Sequence, residues 1–231
     1  MPTSVPVLGQ RPLDQRPRDP GPVRPLPRLG AWAYTIFVLV LVPVYLLNYG
    51  PTNFCYFCDL ALLITLVTVW TGRALPASIA AVAIIVPQAL WTVDFIVRCC
   101  GVSLLGMTDY MFNSETHIGL RALSLFHLWL PALLLWILYR IGYDRRAFRW
   151  WLPCGLALLL IDRLLMPAPP APVTEPGLPV NLNLVYGFSD AAAQTLMPGW
   201  LWFSLLCLAL VFVAWLPTHL ALSRWMRVAR R

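Results

Sequence analysis

Lysine is absent: all 17 basic residues in the 231-residue chain are arginine. Charge of either sign is scarce, at 12% of residues, while 59% are hydrophobic and mean hydropathy is +0.70. A soluble domain is closer to half apolar, and here the apolar residues fall in runs long enough to cross lipid. A water-soluble globular class is therefore excluded. Six cysteines are too few for a disulfide scaffold in a chain of this length. No Gly-rich phosphate loop, no His-x-x-x-His and no Gly-x-Ser-x-Gly occurs, which argues against the nucleotide, metallohydrolase and serine-hydrolase chemistries those motifs serve. Aromatic residues are not interleaved with basic ones outside the apolar runs, so the net charge of +7 does not point to nucleic acid. Arginines cluster instead beside the ends of the runs, as membrane orientation requires. Exclusive use of arginine is a habit of GC-rich bacterial genomes, and places the expectation in a bacterial cytoplasmic (inner) membrane.

The expected fold is all-α: a polytopic bundle of six transmembrane helices in one domain, 31–222. Residues 1–30 hold eight prolines and five arginines, cannot build a core, and are expected to be a disordered cytoplasmic tail. The apolar run that follows has no small-residue cleavage site, so it does not read as a secretory signal. Spans are expected at about 31–47, 54–71, 75–97, 117–139, 148–166 and 198–222, with a basic cytoplasmic tail at 223–231. With the N-terminus inside, Arg73, then Arg140, Arg145, Arg146 and Arg149, then Arg224, Arg227, Arg230 and Arg231 are cytoplasmic. Both termini then lie inside and the opposite side keeps only Arg98 and Arg163 near helix ends, which satisfies the positive-inside bias at every loop. Pro43, Pro87, Pro131 and Pro153 fall within spans, where a bundle tolerates kinks. Two external connections are long: 99–116, half apolar, and 167–197, proline-rich at first and then NLNLVYGFSD. A connection of the second length is often a lid or binding loop.

The stretch Asn48–Asp59, NYGPTNFCYFCD, sits between the first two runs. It places Cys55, Cys58 and Asp59 in the first turns of a membrane helix. An ionisable group there costs several kcal/mol and needs a partner or a wet cavity. Candidate partners at the same depth are Asn53, Asp94 and Arg98, then Asp162 and Arg163, and His117, Arg121, Ser124 and His127 of the fourth span. The last four share one face at helical spacing. Three aspartates balance three arginines, and Asp94 and Arg98 are four apart, the spacing of an intrahelical pair. Two readings stay open: a mutually satisfied structural lock, or a polar pocket open to the external face.

Three chemistries fit those residues. Cys55-x-x-Cys58 at a helix start suits dithiol exchange, with Cys99 and Cys100 on the same side as a second pair. The arrangement resembles quinone-linked disulfide oxidoreductases of the vitamin K epoxide reductase type, although its second pair is vicinal. FCDLALL on one helix and SLFHLWL on a later one resemble the membrane acyltransferase and hydrolase group that includes the androgen-induced-gene lipid hydrolases. That resemblance implies Cys58 as nucleophile and His127 as base on a lipid ester. The segments NYGPTNFCYFCDLALLIT, GMTDYMF and LSLFHLWLP also resemble a group of bacterial multi-pass integral membrane proteins, a likeness that implies no activity. The third reading is a non-catalytic binder, transporter or assembly factor. Cys154 and Cys207 lie inside apolar runs and are expected to pack as small hydrophobes. The ten-residue gap between His117 and His127 is wrong for a metal site on adjacent turns, so no metal and no cofactor is expected. Membrane lipids, and a lipid or other small-molecule substrate, are the expected partners.

Overall fold

The computed structural model describes residues 25–172 and 177–226. The tail at 1–24, the loop positions 173–176 and the basic end at 227–231 lie outside the described residues. Within them the chain is helical, with no β-strand. The helices are α1 (Arg28–Tyr49), α2 (Phe57–Thr71), α3 (Ala74–Cys99), α4 (Ile118–Ser124), α5 (Phe126–Ile141), α6 (Ala147–Leu165), α7 (Gly199–Ala209) and α8 (Leu216–Trp225). Four helical stretches are long and apolar enough to cross a membrane: α1, α3, α4 with α5, and α7 with α8. This is consistent with a multi-pass membrane protein. Helix α2 is apolar but only 15 residues long, and α6 carries Arg149, Asp162 and Arg163 within its 19.

Helix α3 is central and contacts α2, α5, α6 and α8. Its first half explains why: Ala77, Ser78, Ala80, Ala81 and Ala83 are small, all are buried, and small residues let helix backbones approach closely in a membrane bundle. The helices alternate in direction. At the end with short turns, the Trp70 indole donates to Thr35 Oγ1 at 2.9 Å and the Asp144 amide to Ser78 Oγ at 2.9 Å. Tyr143 meets His219 at 2.7 Å at this same end. The opposite, long-loop end gathers the turn after α1, the 100–117 connection and the 166–198 connection. Large apolar side chains such as Leu39, Leu47, Leu165, Leu208 and Phe212 are exposed around the bundle, as lipid-facing positions are.

Three local departures from the expected spans have physical causes. The second helix begins at Phe57, not Phe54, because Pro51–Cys55 form a 3₁₀ turn and Tyr56 is extended (φ −62°, ψ 136°). Cys55 therefore precedes the helix instead of sitting in its first turn. The fourth span is interrupted at Leu125. There the Ser124 carbonyl faces His127 Nδ1 at 2.6 Å, and the Leu128 amide turns to the Leu125 carbonyl at 3.0 Å. Ser124 Oγ also bonds back to the Leu120 carbonyl at 3.1 Å, a pattern that bends helices. The last span is continuous to Trp225 but contains a π-helical segment, Leu210–Trp215, with Trp215 fully buried against the core and Phe212 and Val213 outside.

Candidate functional site

The long-loop end carries every carboxylate singled out in the sequence, and each holds a loop. Asp59, 3% exposed, accepts from Asn53 Nδ2 at 3.0 Å, so the 3₁₀ turn is fastened to the first turn of α2. Its second oxygen, Oδ1, has no hydrogen-bond partner among the described residues. Asp94 does not pair with Arg98. It accepts from the Leu105 amide at 2.7 Å, the Thr108 amide at 2.9 Å and Thr108 Oγ1 at 2.8 Å. Arg98 turns instead to Asp109, Nε to Oδ1 2.9 Å, over the Phe112 ring. The i,i+4 expectation lost because backbone amides arriving from the 100–117 connection satisfy a buried carboxylate better than a half-exposed guanidinium does.

Asp162, fully buried, accepts from Asn183 Nδ2 at 2.7 Å. The same Asn183 accepts from the Phe57 amide at 3.0 Å and donates to the Cys55 carbonyl at 3.0 Å. One loop amide thus ties α6, the start of α2 and the turn before it. Asn181 organises the loop itself, accepting from the Tyr186 amide and donating to the Gly187 carbonyl. Asn181 and Asn183 both sit at positive φ (53° and 52°), a conformation asparagine tolerates better than most residues. Neither was singled out in the sequence. The only signal was an Asn-x-Asn doublet in an otherwise apolar loop segment.

The fourth-span residues form a second group. Tyr45 OH lies 2.9 Å from Ser124 Oγ, and the Tyr110 side chain from the loop lies near the same hydroxyl. Burial holds the Tyr110 phenol above its ordinary range, so it stays a neutral hydroxyl. His127 stacks on Trp91 (centroids 4.7 Å) and lies tilted against Phe126 (4.2 Å). Arg121 donates to the Met111 carbonyl at 3.3 Å, and His117 caps α4 by accepting from the Gly119 amide at 3.1 Å.

Several sequence candidates are not joined. Among the described residues no ion pair links Asp59 to Arg121, and no hydrogen bond links Cys58 to His127. The Cys58 thiol lies 4.0 Å from Asp59 Oδ2. Burial first, and then the charge of nearby Asp162, raise the Cys55 thiol above its ordinary range and oppose thiolate formation. All six cysteines are free, with Cys99, Cys100 and Cys154 exposed. Cys154 was expected inside an apolar run, and it sits on the outward face of α6. Among the described residues no group of three or more His, Cys, Asp or Glu side chains could hold a metal ion.

Two cavities open near this end. A groove of about 490 Å³ runs between α1 and α4, with Val40, Val44, Leu120 and Leu123 as walls and Asn48 and His117 at its rim. A cleft of about 310 Å³ is lined by Asn48, Tyr49, Gly50, Gly177 and Leu178. They share Asn48. Neither is lined by Cys58, Asp59, Arg121 or His127. Compared with known protein families, with curated proteins and with solved structures, the chain matches none.

Proposed function

We propose that this protein is a six-span, non-catalytic membrane binding protein with both termini cytoplasmic, taking up an amphipathic lipid-type ligand at its external end. The carrying observation is the apolar groove between α1 and α4, with a smaller cleft beside it that shares Asn48. An acyl chain suits the Val40, Val44 and Leu123 walls, and a polar headgroup suits the rim at Asn48 and His117, since ligand sites combine apolar lining with a few polar groups. The break at Leu125 supports this reading by freeing α4 from the course of α5. The buried aspartates serve as locks for the loops that roof the site. Helices α2 and α6 complete the count of spans, and the arginines at the short-turn end support the orientation.

The acyl-transfer reading keeps one supporting observation: Cys58 and His127 both border the Tyr45–Ser124–Tyr110 group. A photoreactive single-chain lipid analogue applied to membranes containing the full chain separates the two. Binding in the groove predicts labelling that survives Cys58→Ala and is lost in Val44→Trp, which fills the groove. Equal labelling of wild type and Val44→Trp would overturn the groove assignment. A cysteine-directed acyl probe whose adduct vanishes in both Cys58→Ala and His127→Ala would favour catalysis. Reporter fusions at each terminus test the topology, and an external C-terminus would contradict it.

A further inference from the structure

Arg163 closes α6 at the long-loop end, and its charge is not answered by any carboxylate among the described residues. The preceding Asp162 is committed to Asn183. The guanidinium carbon lies 4.4 Å from the Tyr186 ring centroid and 5.1 Å from that of Trp200. Tyr186 is itself fixed, donating to the Arg163 carbonyl at 2.9 Å and to the Met166 carbonyl at 3.2 Å. A Cβ at position 199 would sit 2.8 Å from Arg163 Nη2, so the guanidinium lies directly against Gly199 at the start of α7 and a side chain there would make it shift. Nε is buried without an acceptor.

The surroundings say where this cation stands. Leu164, Leu165, Trp200 and Leu201 beside it are exposed apolar residues, the composition of a lipid-facing rim at a helix end. Tryptophan and tyrosine favour the interface between hydrocarbon and headgroups. A half-buried guanidinium with no carboxylate partner among the described residues is costly, and its planar donors match a phosphate in bidentate geometry. Lysine could not replace that match.

We propose that Arg163, oriented by Tyr186 and Trp200 and seated against Gly199, is a phosphate-group site at the α6–α7 rim, suited to a phospholipid headgroup. It does not depend on ligand uptake between α1 and α4, which lies on other helices. The ligand chemistry is a phosphate mono- or diester, and its two sources are a lipid headgroup and free phosphate.

The test is native mass spectrometry of the full chain in neutral detergent, titrated with phosphatidylglycerol, with diacylglycerol of the same chains, or with inorganic phosphate. Wild type is expected to prefer phosphatidylglycerol to diacylglycerol by about tenfold, the effect of a single charge-assisted hydrogen bond. Arg163→Gln should abolish that preference, while Arg140→Gln, at the opposite end over Trp136, should keep it. Gly199→Ala, which retains the charge but displaces Nη2, should weaken it and provides a second variant if Arg163→Gln folds poorly. Saturable binding of inorganic phosphate that is lost in Arg163→Gln, with no lipid preference, would also support the site and assign it to the free ion. If both variants match wild type in both titrations, the site does not exist.

Discussion

Replacing Asn183 by alanine removes three bonds that no neighbouring residue supplies. Asp162 loses the donor on Oδ2 while its Oδ1 already lacks one, the Phe57 amide loses its acceptor at the start of α2, and the Cys55 carbonyl loses its donor. Loss of a helix-start acceptor costs about 1 kcal/mol. Leaving a buried carboxylate without its donor costs about 1–3 kcal/mol. Alanine also meets the positive φ of this position less well than asparagine, by about 1 kcal/mol. The sum is about 3–5 kcal/mol, an exceptional loss for a loop residue. Thermal unfolding of the purified protein in detergent should register it, and maleimide labelling of Cys55, half-buried under this loop, should accelerate. A double-mutant cycle with Asp162→Asn apportions the effect. The two substitutions should be strongly non-additive, because Asp162→Asn relieves the charge that Asn183 answers. Additive losses, or an Asn183→Ala protein with wild-type unfolding and labelling, would refute the clamp.

Other expectations follow from single contacts. Asp94→Ala should destabilise by several kcal/mol and expose the 100–117 connection to protease, since it strips three bonds from that loop; Arg98→Gln, which breaks only a half-exposed pair with Asp109, should cost about 0–1 kcal/mol. Limited proteolysis with mass readout distinguishes the two. Gly155→Ala should lower the unfolding temperature despite alanine's better helix propensity. Its Cβ would stand 2.7 Å from the Trp215 ring and 3.0 Å from that of Trp151, and overpacking of this kind costs about 1–3 kcal/mol. His127→Phe should leave the stacking on Trp91 but release the Ser124 carbonyl, so hydrogen exchange at Leu128 should slow as the regular helix bond re-forms.

The helical class and the four apolar stretches long enough to cross a membrane were legible because they depend on local composition. A run of apolar residues long enough for lipid has one way to satisfy its backbone groups, and that is a helix. The aspartates were also legible as groups needing partners. Their partners were not. Asp94 is answered from 11 and 14 residues further along the chain, and Asp162 from 21, by backbone amides and by an asparagine that look like ordinary loop in the sequence. Charge balance suggested six groups in one network, whereas the folded chain gives each aspartate its own loop, turns Arg98 to Asp109 and Arg121 to the Met111 carbonyl, and leaves Arg163 without a carboxylate partner among the described residues. Residue count already set His127 deeper than Cys58, so that the two could meet only if the fourth span started higher than the second; rotation about each helix axis and the interruption at Leu125 decide what each side chain meets. Sequence alone therefore determined that this chain builds apolar helices with costly polar groups at their ends. Only tertiary structure decided which loop answers each of those groups, because hydrogen bonds reach about 3 Å and depend on how distant segments are brought together.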